Sequence, residues 1–208
     1  MGWNWPWAKR PAGATTRAGM KSTGQSSGLG FVALHGQGEA LWTRADYGAL
    51  SREGYMRNPA AHRAVRMIAE SAAAVPWLLY EGAAELTEHP LTALLNRPNP
   101  QATGASFMET LYGHLLMSGN AYVELVEAGE LHLLRPDRVA VVADAAGWPV
   151  ALEYREGAGK RRIRLGGDGE AGALHLRLFH PLDDHYGFPP LQAALMALDI
   201  HNAAGRWN

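Results

Sequence analysis

The sequence contains no cysteine. Disulfides, zinc–thiolate centres, iron–sulfur clusters and thiol nucleophiles are therefore excluded, and a reducing compartment is the expected setting. No apolar run approaches membrane-spanning length, so no membrane contact is expected. The opening residues, MGWNWPWAKRP, have no apolar stretch of the kind a secretory signal needs, and Pro6 stands where a myristoylation signal wants Ser or Thr. An excess of one charge is missing too: 19 basic residues face 20 acidic ones, for a formal net charge of -1. Proteins whose main task is gripping phosphates are clearly basic, so any nucleic-acid contact should be local or loose. Nucleotide and hydrolase motifs are incomplete. GLGFVA has the G-x-G-x-x-A spacing but no strand before it, GGDGE lacks the Lys and Ser or Thr of a phosphate loop, and no G-x-S-x-G elbow occurs. No cofactor is expected.

What remains is an ordinary globular composition: 208 residues, 47% hydrophobic and 19% charged. Residues 1–44 read as a flexible arm rich in Gly, Ser, Thr and Ala, without a persistent period. Trp3, Trp5 and Trp7 stand out in that arm. Tryptophan is favoured at anchor positions, so they are read as possible anchors in a neighbour's groove.

From residue 45 the chain acquires helical signals. Asn58-Pro59 is an N-cap followed by Pro at the first helical position, and Ala61, Ala64, Val65, Ile68, Ala72 and Val75 recur at helical spacing until Pro76. WLLY (Trp77 to Tyr80) reads as a short buried strand, and HPLTALLNRPNP as a short helix between prolines. Thr103 caps a second long helix with a Phe107, Leu111, Leu115 stripe, closed by Gly119. The period then changes to two. AYVELVE, LHLL, RVAVVAD, VALEYRE, RRIRL and ALHLRLF are strand candidates separated by RPD, DAAGWP, EGAGK and GGDGE turns. Short successive strands on tight turns predict an antiparallel sheet, and helices followed by strands predict an α+β fold. Pro189-Pro190 then opens a helix lined by Leu191, Ala194, Leu195 and Leu198, which is expected to continue beyond the last residue given. The expected organisation is an arm (1–44), an α+β domain (45–188) and the start of a long helix (189–208).

Two clusters carry possible chemistry. FHPLDDHYGFPPL holds His180, Asp183, Asp184 and His185. Imidazole and carboxylate suit zinc, iron or manganese, which raises a metal-dependent hydrolase or nuclease as one reading. Pro181 prevents a helix from converging these side chains, and aspartates before a turn hold backbone N–H groups, so the structural reading is preferred: a joint between strand and helix whose residues hold backbone or a neighbouring subunit. KRRIR (Lys160, Arg161, Arg162, Ile163, Arg164) is the dense basic run. On a strand, Arg162 and Arg164 share one face and Arg161 and Ile163 the other. This makes a DNA or partner contact, or a non-specific nucleic-acid-binding module, as open a reading as a charged edge strand that blocks aggregation.

Whole phrases in order, NPAAHRAVRMIAESAAAVPWLLY, HPLTALLNRPNP, MSGNAYVELV, LHLLRPDRV and HLRLFHPLDDHYGFPPL, resemble consecutive motifs of tailed-bacteriophage portal proteins, in the short branch that includes gene transfer agent portals. The resemblance runs from about Tyr55 to Asn208 and leaves the arm uncovered. It implies a wing-like part of a subunit without catalytic site, with the last helix leading towards a stem. It implies a ring, usually dodecameric, at a capsid vertex of a phage or gene transfer agent particle, assembled in bacterial cytoplasm. The implied partners are further copies of itself, the major capsid protein, the terminase, a head–tail connector, and double-stranded DNA passing through during packaging and ejection. A near-zero net charge suits a conduit in which DNA must slide.

Overall fold

The computed structural model describes residues 43–126, 129–166 and 171–206. Most of the arm, with Trp3, Trp5 and Trp7, lies outside the described residues. At its end, the Thr43 N–H and hydroxyl both donate to the Asp199 carboxylate, at 2.9 and 2.5 Å.

The helical layer comes first. A single turn α1 (Tyr47–Ala49), capped by Asp46, runs into a π-helix over Leu50–Met56. No sequence signal pointed to this segment. Its Leu50 and Gly54 are buried, and a Cβ at Gly54 would stand 2.9 Å from Leu191, so glycine there lets the final helix approach. Helix α2 (Pro59–Ala73) begins as expected: the Asn58 side chain accepts from Ala61 N–H and Pro59 takes the first position. Its buried stripe is Ala61, Val65 and Ala69, rotated from the expected one, with Ile68 and Ala64 on the exposed side. Short helix α3 (Pro90–Asn96) and long helix α4 (Gly104–Ser118) follow. Thr103 and Ser106 make a reciprocal capping box on α4, and Gly119 closes it at φ +73°.

Between α2 and α3 the WLLY segment departs from expectation. Tyr80–Glu81 (β1) and Ala84–Glu85 (β2) form a minimal hairpin. Trp77, Leu78 and Tyr80 are 56%, 58% and 53% exposed, so the segment expected to be a buried strand is not covered by the other described residues. Apolar content marked burial, but among the described residues no element is placed to supply it.

The six strands expected after Gly119 form, and each of their pairs is antiparallel: β3 (Asn120–Leu125), β4 (Leu131–Leu134), β5 (Val139–Ala143), β6 (Pro149–Glu156), β7 (Gly159–Arg164) and β8 (Gly172–Arg177). They build two three-stranded sheets, ordered β4-β3-β8 and β5-β6-β7. In the first, Ala121 and Val123 pack with Phe107, Met108 and Leu111 of α4. Alternation puts Tyr122 on the other face, where it meets Leu134, Ala173 and, from the second sheet, Leu152 and Ile163. The order of layers is therefore helices, first sheet, second sheet. A third cluster joins Leu50, Ala61 and Val65 to Leu191 and Leu198 of the final helices α5 (Pro190–Ala193) and α6 (Leu195–Ala204). The expected single helix is interrupted at Ala194, whose ψ of 2° leaves the helical region. Among the described residues no helix is long and apolar enough to cross a membrane.

Candidate functional site

The joint after β8 is held from both sides. The Leu178 N–H donates to the Gly119 carbonyl at 2.8 Å, and the Gly187 N–H donates to Asn120 Oδ1 at 2.8 Å. A Cβ at Gly187 would lie 2.0 Å from the Gly119 carbonyl oxygen, so two glycine backbones meet where no side chain fits. Asn120 is buried and satisfied: its Oδ1 also meets His175 Nε2 at 2.9 Å, and its Nδ2 donates to the Ser118 carbonyl at 2.7 Å. His175 stacks on Tyr122 with ring centroids 4.4 Å apart. Burial lowers its pKa to about 4, helped by the nearby Arg177.

The four singled-out residues of the joint do separate jobs. Asp183 Oδ1 accepts from the N–H groups of His185 and Tyr186, at 2.7 and 2.8 Å, which tightens the turn and lowers the Asp183 pKa. His180 Nδ1 accepts from the Leu182 N–H at 3.0 Å, and its ring sits edge-on to Phe188. Asp184 is engaged through its backbone carbonyl, which accepts from the Arg177 guanidinium. His185 has a buried Nδ1 without a hydrogen-bond partner among the described residues. The following residue, Tyr186, reaches the second sheet, its hydroxyl accepting from the Val141 N–H at 2.9 Å. Among the described residues no three His, Asp or Glu side chains could hold a metal ion together. The pattern ties backbone together; it does not converge ligands. A polar cavity of about 270 Å³ lies beside it, lined by Tyr47, Asn120, Tyr122, Asp183, Tyr186 and Gln192 among others.

The basic run divides by strand alternation. Arg161 shares the inward side with the buried Ile163 and makes a two-pronged pair with Glu124 on β3, one prong at 2.6 Å. It also reaches Glu156 at 3.3 Å and lies over the Tyr154 ring. Lys160 pairs with Glu153 at 2.7 Å. Arg162 and Arg164 face outward and have no ion-pair partner among the described residues. Glu124, Asn120, Tyr186 and Gly187 escaped the sequence reading, because their importance comes from partners far away in the chain. For Glu124 the available signal was a lone acid inside an otherwise apolar strand.

On the helical side of the first sheet is an apolar cleft of about 770 Å³. Trp77, Leu95, Tyr112, Leu174, Leu176 and Leu178 are among its walls.

Comparison with known proteins places this architecture. The family model described as phage portal protein matches residues 59–208. An uncharacterized protein of Rickettsia bellii is 33% identical over 162 residues, covering 75% of this chain and 42% of the relative. One from Rickettsia felis is 32% identical over 173 residues, covering 78% and 45%. A chain in the neck of an empty gene transfer agent particle, computed with C6 symmetry, superposes with a TM-score of 0.74 at 44% identity, covering 80% of this chain and 46% of that chain. A chain in the virion of a native gene transfer agent particle gives 0.69 at 44% identity, covering 80% and 45%. This chain thus spans less than half the length of the relatives it matches. The chain belongs to the phage portal protein family, on the branch that includes the portals of gene transfer agents.

Proposed function

We propose that this chain is the wing-containing, N-terminal part of a portal that assembles as a ring at a capsid vertex, conducts DNA during packaging and ejection, and offers a platform to capsid protein, terminase and head–tail connector. The observation that carries the reading is the match to chains of a particle neck and virion at 44% identity over 80% of the chain. The mechanism is geometric. Subunit surfaces fix the diameter of a central hole, and the hole decides what passes. The joint of His180, Asp183, Asp184 and His185 would hold the wing sheets at a set angle to the helix that leads inward. Lys160, Arg161, Arg162 and Arg164 would supply one internal brace and an outward basic face, and Trp3, Trp5 and Trp7 would anchor the arm on a neighbour.

Electron microscopy of the intact protein is the direct test: rings with a central hole are expected. A protein that stays monomeric at high concentration and is absent from purified particles would overturn the proposal.

A further inference from the structure

We propose that the segment from Trp77 to Glu88, with the β1–β2 hairpin at its centre, is a docking arm that seats on the outer face of the β5-β6-β7 sheet of the neighbouring copy. The inference deepens the ring reading and rests on it for the presence of a neighbour. Its starting point is an element that the other described residues leave largely uncovered. The hairpin has two residues per strand, and isolated hairpins are marginal in water. It nonetheless displays Trp77, Leu78 and Tyr80 to solvent. It also displays Glu81, Glu85 and Glu88, which have no cationic partner among the described residues. Exposed aromatic residues are enriched in interface cores, and charged residues belong to the polar rim around them.

A complementary surface lies on the far side of the same subunit. Register places Ala140, Glu153 and Arg162 in one row and Val142, Ala151 and Arg164 in the next, on the face of the second sheet that points away from the Leu152–Ile163 core; of the apolar residues there Ala140 is exposed, Val142 half-buried and Ala151 buried. Glu153 is engaged by Lys160, and Arg162 and Arg164 have no ion-pair partner among the described residues. Exposed Trp148 stands at the end of this sheet on a turn locked by Asp144, whose Oδ1 accepts from the N–H groups of Ala146 and Trp148.

The two surfaces match twice, apolar to apolar and acid to base. They also sit where a ring needs them. Trp77 lies over the helical side of the first sheet, and the second sheet packs on its opposite side. Arm and receiving face are thus at opposite ends of the layers, and a cyclic assembly of more than two subunits requires two different patches on different sides of each subunit.

Charge reversal with rescue tests the inference in the full chain. Glu81→Arg/Glu85→Arg and Arg162→Glu/Arg164→Glu should each raise the concentration needed for assembly by about tenfold or more at low salt, and the combined variant should recover it. All four side chains are exposed, so melting temperatures should match the parent. A readout independent of rings uses the absence of native cysteine. A short bismaleimide should join Glu85→Cys of one chain to Arg162→Cys of another, and should not join Glu85→Cys to Arg63→Cys. Rings in the parent with neither rescue nor selective cross-linking would overturn the docking inference and leave the portal reading intact. Selective cross-linking without rings would do the reverse. Unchanged assembly of Arg162→Glu/Arg164→Glu with lost binding to duplex DNA would also overturn it, by assigning the basic row to phosphates.

Discussion

Arg161→Ala probes what fixes the two sheets against each other. Glu124 sits on β3 in the first sheet and is 6% exposed, while Arg161 sits on β7 in the second and its side chain is 40% exposed. Removing one partner of a fully buried pair costs about 3–5 kcal/mol, because a carboxylate is left without compensation. Water reaches part of the Arg161 side, and exposed pairs contribute only about 0–1 kcal/mol. The expected loss lies between, at about 2–3 kcal/mol. For a domain of this size that lowers the melting temperature by about 5–10 °C. Calorimetry or circular dichroism at neutral pH is the assay. The paired variant Arg161→Met/Glu124→Gln should recover most of the loss, since no charge is left buried. A shift under about 2 °C, or a paired variant no more stable than Arg161→Ala, would refute the claim that Glu124 depends on Arg161.

Other perturbations follow from the same geometry. Gly119→Ala should largely abolish soluble folded protein, because φ is +73° and a Cβ would stand 2.3 Å from the Gly187 carbonyl oxygen; expression and solubility measure this. Asn120→Ala removes acceptors from Gly187 and His175 in a buried site and should cost about 1–3 kcal/mol by denaturant titration, with local loss of amide protection around the joint. Burial lowers the His114 pKa to about 4. Between the ordinary value near 6.5 and that value, the unfolded chain binds a proton that the folded chain does not, so stability should fall with pH across this window by up to about 3 kcal/mol, and His114→Gln should flatten the profile. Elemental analysis of the purified protein should find no stoichiometric metal, and Asp184→Ala should melt as the parent does; bound metal lost on that substitution would revive the hydrolase reading.

The order of elements was legible along the chain because each boundary carries its own local chemistry. Asn58 before Pro59, Thr103 three residues before Ser106, and Gly119 after Ser118 specify helix ends through hydrogen bonds that span a few residues. The change from helical to alternating period after Gly119 announced the strands for the same reason. The turn at Asp183 was legible too, since Asp183 needs only its next neighbours to make it.

Tertiary structure decided what depends on residues distant in sequence. Arg161 and Arg162 are alike in the sequence, yet one braces the two sheets through Glu124, thirty-seven residues away, and the other faces outward. The apolar WLLY segment looked like core, but burial needs a covering element, and the described residues place none over it. Gly187 read as part of a loop, and only the approach of Gly119 shows why no side chain is tolerated there. Where a cap or a clear period is present, sequence alone determined how elements start, stop and alternate, because capping and periodicity are local. Which faces meet was decided by packing, which joins residues the chain keeps far apart.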